Sequence, residues 1–138
     1  TIGAFVSGMD AGKIYNSWPL MGLTYFPDDN LISNLFNLSV FNSPSLTQFI
    51  HRNLAYLILL FYLIIYLYIY RLKLLEFFKI IKIIGILLFL QILLGILTLL
   101  SGASMFYASM HQISSIFLVT SSIYLIYLNL KINSPPLN

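Results

Sequence analysis

Apolar residues fall into three long runs, separated by stretches where charge, proline and glycine concentrate. Residues 48–70 open with Gln48-Phe49-Ile50-His51-Arg52 and close on Tyr66, Tyr68 and Tyr70, an aromatic belt just before Arg71. Residues 83–100 form a second run whose strongly polar member is Gln91, and residues 107–130 form a third, followed by Lys131. At helical rise even the shortest run, 83–100, is about 27 Å long, so each predicts a membrane-spanning helix.

Residues 1–9 are apolar and small, but they reach only about 14 Å and cannot cross alone. They read as the last turns of a helix that starts outside the sequence, so the chain is expected to be a fragment. Gly8 and Gly12 form a small-xxx-small step suited to close helix contact. Residues 10–47 are polar and broken by Pro19, Pro27, Asp28, Asp29, Asn30 and Pro44. So long a connection points to a functional cap. Tyr15, Trp18, Tyr25 and Phe26 suit an interfacial position there, and Ile32–Phe41 predicts a short surface helix. Arg71–Lys82 is the expected second connection, Ser101–Phe106 turns through Gly102, and Pro135-Pro136 marks a tail.

Composition fixes the class as all-α integral membrane. Of 138 residues, 59% are hydrophobic and 8% charged, against about 25% charged in soluble domains. No cysteine is present, which excludes disulfides, thiolate metal sites and cysteine nucleophiles. Neither a phosphate-cradling glycine motif nor a Ser/His/Asp arrangement occurs, and the net charge of +3 is too scattered for nucleic acid. No charged region precedes the first apolar residues, so they are not read as a signal peptide. Charge instead orients the spans. Arg71, Lys73, Lys79 and Lys82 oppose only Glu76, and Lys131 adds to the same side. The other side holds Lys13 and Arg52 against Asp10, Asp28 and Asp29. The positive-inside rule turns the cationic side to the cytoplasm or matrix.

The two histidines then draw attention. His51 precedes Arg71, and His111 precedes Lys131, by the same twenty residues, about one hydrocarbon thickness. Helices entering from one face would carry both imidazoles at one depth, near the periplasm or intermembrane space. Paired histidines across a bundle suit axial ligation of an iron porphyrin. Interfacial hydrogen bonding is the plainer alternative. Ala55 and Ser115, one turn deeper, would leave room for the edge of a flat macrocycle. The spans offer no carboxylate, cysteine or third histidine for a tetrahedral zinc or copper site. Arg52 could pair with a porphyrin carboxylate or with a phospholipid headgroup. Gln91 and Gly95 read as interhelical glue beside a close contact, Ser114, Ser115, Ser121 and Ser122 as packing residues, and Asp10 as a loop cap or a proton-handling group.

Several strings resemble the haem A synthases, the cytochrome oxidase assembly enzymes. They are Gly3-Ala4-Phe5-Val6-Ser7-Gly8-Met9-Asp10-Ala11-Gly12, Tyr15-Asn16-Ser17-Trp18-Pro19-Leu20-Met21-Gly22, Gln48-Phe49-Ile50-His51-Arg52, Gln91-Ile92-Leu93-Leu94-Gly95-Ile96 with Thr98-Leu99-Leu100, and Ala108-Ser109-Met110-His111-Gln112. The resemblance implies half of an eight-helix bundle. Residues 1–138 would be the C-terminal four-helix haem-binding half, with three complete transmembrane helices and the end of a fourth. It implies oxidation of the haem O methyl group to the formyl group of haem A, with water as oxygen source and haem O handled in the N-terminal half. His51 and His111 match the axial ligands of a haem b cofactor, which would relay electrons. The implied partners are haem O, the N-terminal half, membrane lipid, haem O synthase and an electron-transfer protein. A membrane b-type cytochrome and a cofactor-free oxidase assembly protein are the alternatives. Abundant Ile, Leu, Asn, Tyr, Phe and Lys hint at an AT-rich genome, in a mitochondrion or a bacterium, and so at the mitochondrial inner membrane or the bacterial plasma membrane.

Overall fold

The computed structural model describes residues 2–133; Thr1 and the Pro135-Pro136 tail lie outside them. Four α-helices follow in order: α1 (Ile2–Gly8), α2 (Pro44–Arg71), α3 (Leu75–Leu100) and α4 (Met105–Asn133). Three are long and apolar enough to cross a membrane.

α1 stops where Asp10 adopts a left-handed φ of 52°. Asp10 makes no side-chain capping bond to the 3-10 turn that follows, Ala11–Lys13. Its carboxylate pairs with Lys13 instead, at 2.9 Å on the exposed surface, where such a pair adds little. The expected surface helix over Ile32–Phe41 is two 3-10 segments, Ile32–Phe36 and Leu38–Asn42. They are split by extended backbone at Asn37.

α2 begins four residues before the expected Gln48. Ser43 accepts from Leu46 N at the N-cap and Pro44 occupies the first turn, both helix-start signals. α3 departs further from expectation, beginning at Leu75 rather than Ile83. The expected connection Arg71–Lys82 shrinks to Leu72–Leu74, closed by Lys73 at φ 51° and a bond from Leu74 N to Ile69 O of 3.1 Å. Lys79 and Lys82 look like loop residues, yet Phe77, Ile80, Ile81 and Ile84 recur at helical spacing and bury one face against Ile69. The cations sit exposed on the other faces of the same helix. α4 starts two residues before Tyr107, after a turn at Gly102 (φ 67°) and Ala103 (φ 59°).

α3 is the shared partner. It packs along α4 and meets α2 over a smaller area. The buried cluster lies at the end opposite the histidines, with Tyr62, Tyr66, Leu118 and Leu125 against it. In the most apolar window of each span only 6%, 17% and 6% of residues are buried within the chain. Side chains such as Leu57, Phe61, Phe89, Phe117 and Ile123 therefore face outward, as hydrocarbon surroundings require.

Gly85 sets the α2–α3 approach. Tyr62 Oη donates to Ile81 O at 3.3 Å, and a Cβ on Gly85 would run into that hydroxyl, with Tyr62 Cζ 2.8 Å away. Gly85→Leu gains about 1 kcal/mol of helix propensity but should lose roughly 1–3 kcal/mol to overpacking. Thermal unfolding followed by circular dichroism should show a net loss, partly restored in Gly85→Leu/Tyr62→Ala.

Candidate functional site

His51 and His111 come together. Each lies in the early turns of its helix, and their ring centroids are 6.4 Å apart with planes at 82°. Metal–imidazole bonds are about 2 Å, so rings on opposite sides of one ion stand roughly 6 Å apart. The centroid separation matches that spacing, while both His111 nitrogens meet Gln91. Among the described residues no group of three or more His, Cys, Asp or Glu side chains converges.

The His111 ring is turned towards α3. Ser114 Oγ donates to Gln91 Oε1, so the carboxamide presents Nε2 to His111 Nε2 at 3.2 Å. His111 Nε2 is then the acceptor, and Nδ1–H donates to Gln91 O at 3.0 Å. Gly95 makes the room, since a Cβ there would lie 3.1 Å from His111 Cε1. Gln91 and Gly95, four residues apart on one face, thus cradle a histidine, which is more than the glue expected of them. Ser114 is buried and part of this network. Ser115 Oγ turns back to Gln112 O, and Ser122 Oγ to Leu118 O. On the other side His51 lies against α1, where a Cβ on Gly3 would stand 3.7 Å from His51 Cε1.

Arg52 has a role that sequence reasoning missed. Nη1 donates to Leu20 O and Nη2 to Tyr15 O, each at 3.2 Å, and Gln48 Nε2 donates to Tyr15 O at 3.1 Å. Gln48 and Arg52 are one turn apart, a spacing that could have flagged a shared target. Asn16 Nδ2 reaches Leu99 O at 3.0 Å, Tyr25 Oη donates to Asn53 at 2.6 Å, and Tyr25 and Phe26 both stand edge-on to Phe49. The 10–43 loop is thereby clamped over the histidine end. Arg52 Nε and Gln48 Oε1 are buried with no hydrogen-bond partner among the described residues.

A second anchor lies within the loop. Tyr15 Oη donates to Asp28 Oδ1 and lies 3.3 Å from Asp29 Oδ1. The Asp28 bond is the main reason the Tyr15 phenol rises from 10.0 to about 12, with desolvation and the two carboxylate charges adding to it. For Asp29, desolvation works upward but is outweighed by hydrogen bonds from Asn30, Ser45 and Tyr15, so its carboxyl is lowered.

Fold and site together define an all-helical integral membrane protein that gathers two histidines at one end of its bundle beneath a clamped loop. The chain belongs to the COX15-CtaA family, cytochrome oxidase assembly proteins, which matches residues 1–123. It is 45% identical over 128 residues to a heme A synthase of Pelagibacter ubique, covering 93% of this chain and 38% of that protein. A heme A synthase of Rickettsia felis is 36% identical over 123 residues, covering 89% and 36%. One from Roseobacter denitrificans is 35% identical over 111 residues, covering 80% and 29%. The chain thus spans well under half the length of these relatives. No solved structure matches it.

The loop anchor has a pH signature. Tyr15 is raised on folding, so its contribution is present below pH 10 and lost as pH rises through about 12. Asp29 is lowered, so its contribution is present above its ordinary 3.8 and lost as pH falls through the lowered value. The tyrosinate absorbance difference between the parent chain and Tyr15→Phe should titrate near 12, and Asp28→Asn should bring that midpoint back towards 10.0.

Proposed function

We propose that the chain is the haem b-binding part of a haem A synthase, the enzyme that oxidises the methyl group of haem O to the formyl group of haem A. The observation that carries the reading is the pair of imidazoles 6.4 Å apart, at matching positions in two spans. The name shared by the relatives from three genera supports the reaction. Haem O would be handled in the part of the enzyme beyond these residues, with haem O synthase and an electron-transfer protein as further partners.

His51 and His111 would hold the iron, whose contribution when bound is reversible one-electron exchange, an outlet for electrons released by oxidation of haem O. Arg52 is well placed for a haem carboxylate. Among the described residues its guanidinium donates to the neutral carbonyls of Leu20 and Tyr15, and its buried Nε has a donor to give. Adjacent to it, the clamped loop lies against the start of α2 at the histidine end. With the cations of α3 and Lys131 turned inward, that end faces the periplasm or intermembrane space.

The engagement of both His111 nitrogens by Gln91 favours one rival, a cofactor-free assembly protein in which the histidine is only packed. A reduced-minus-oxidised spectrum of the purified chain separates the two. A low-spin b-type signal is expected, lost in both His51→Ala and His111→Ala. A well-folded parent chain that takes up no haem when supplied with it would overturn the reading.

A further inference from the structure

The nitrogen through which His111 would bind iron already has an occupant within the chain. Gln91 meets the ring twice, with its backbone oxygen 3.0 Å from Nδ1 and its carboxamide nitrogen 3.2 Å from Nε2. Ser114, three residues beyond His111 on α4, sets its hydroxyl against both Gln91 Oε1 and His111 O, and when it donates to Oε1 it sets which way the carboxamide faces. Without that bond the two ends of the carboxamide could exchange, and an oxygen facing Nε2 would favour the other tautomer. We propose that Gln91, oriented by Ser114, is a positioning residue that keeps Nε2 of His111 as a shielded lone pair and yields it when iron binds. The inference rests on the histidine-pair reading above.

The two contacts have separable jobs. Metal-ligating histidines generally donate their second ring N–H to a carbonyl or carboxylate, which sets the tautomer and aims the other nitrogen. Here the carbonyl belongs to the α3 backbone, so no substitution of Gln91 removes it. Gly95, one turn further along α3, keeps the approach to that carbonyl open. The side-chain contact works in the other direction. A bare lone pair at this depth would have little water to meet, so the carboxamide satisfies it until a stronger acceptor of electrons arrives. Ligation would exchange one hydrogen bond for one coordinate bond, with the Gln91 side chain turning aside. Its amide is therefore a competitor for haem, while its backbone oxygen is a helper.

Removing the competitor should tighten haem binding by the net worth of one hydrogen bond, a factor of roughly three to ten. The full chain, purified without haem in lipid nanodiscs, is titrated with iron protoporphyrin IX and followed at the Soret band, alongside Gln91→Leu and Ser114→Ala. Both variants should bind more tightly and faster, Ser114→Ala by the smaller factor, with the parent's helix content retained. Imidazole nitrogen chemical shifts in the haem-free chain give a readout independent of haem. The parent should show His111 protonated at Nδ1 with a hydrogen-bonded Nε2, and Gln91→Leu should keep the tautomer but shift Nε2. Unchanged or weaker haem binding in Ser114→Ala and Gln91→Leu, with the parent binding normally, overturns the positioning role alone. So does a His111 protonated at Nε2 in the parent. A parent that binds no haem overturns the haem reading, and the role of Gln91 as a competitor falls with it.

Discussion

The close approach of two side chains to α3 is the constraint on which the rest depends. Gly85 admits the Tyr62 phenol from α2, and Gly95 admits the His111 imidazole from α4. Ten residues at helical twist put the two glycines on faces about 80° apart, so one helix can receive both neighbours. Glycine in a helix interior costs about 1 kcal/mol against alanine. Between membrane helices, where lipid is as apolar as leucine, packing and hydrogen bonding supply most of the association. Each notch here brings a hydrogen bond to a backbone carbonyl of α3, at Ile81 and at Gln91. The notches also sort the bundle lengthwise, with aromatic and isoleucine packing at one end and polar contacts at the other.

At the polar end, hydrogen bonds are made in pairs that leave few groups unsatisfied. Ser114, Gln91 and His111 are linked in sequence, with the Ser114 hydroxyl also within reach of His111 O. Arg52 and Gln48 both donate to the loop at Tyr15 O. The exceptions, Arg52 Nε and Gln48 Oε1, both sit where α2 faces the loop. Unsatisfied groups are costly to bury, and these two lie within one turn of His51 on α2.

The sequence made the spans and the histidine register legible because both follow from length. A fixed count of residues between a histidine and a cation converts directly into depth. Helix starts were less legible. Lys79 and Lys82 suggested a connection, yet the spacing of Phe77, Ile80, Ile81 and Ile84 was the stronger signal and extends α3 to Leu75. Apart from the histidine pair, contacts between distant segments could not be read. Nothing local announces that Arg52 seeks the carbonyls of Tyr15 and Leu20, or that Tyr15 finds Asp28 across a loop of prolines. Asp10 shows the reverse failure, since a residue type that favours caps is held in a left-handed turn and pairs with Lys13.

His51 and Arg52 being neighbours has a mechanical consequence. Consecutive helical residues project about 100° apart, so one turn of α2 presents an imidazole to α4 and a guanidinium to the loop. Gln48 joins Arg52 on the loop side, and α1 closes over His51. A rotation of this turn that brought His51 closer to His111 would also pull on Tyr15 and Leu20 through Arg52. The placement of His51 and the hold on Tyr15 and Leu20 therefore share one short segment, Gln48 to Arg52.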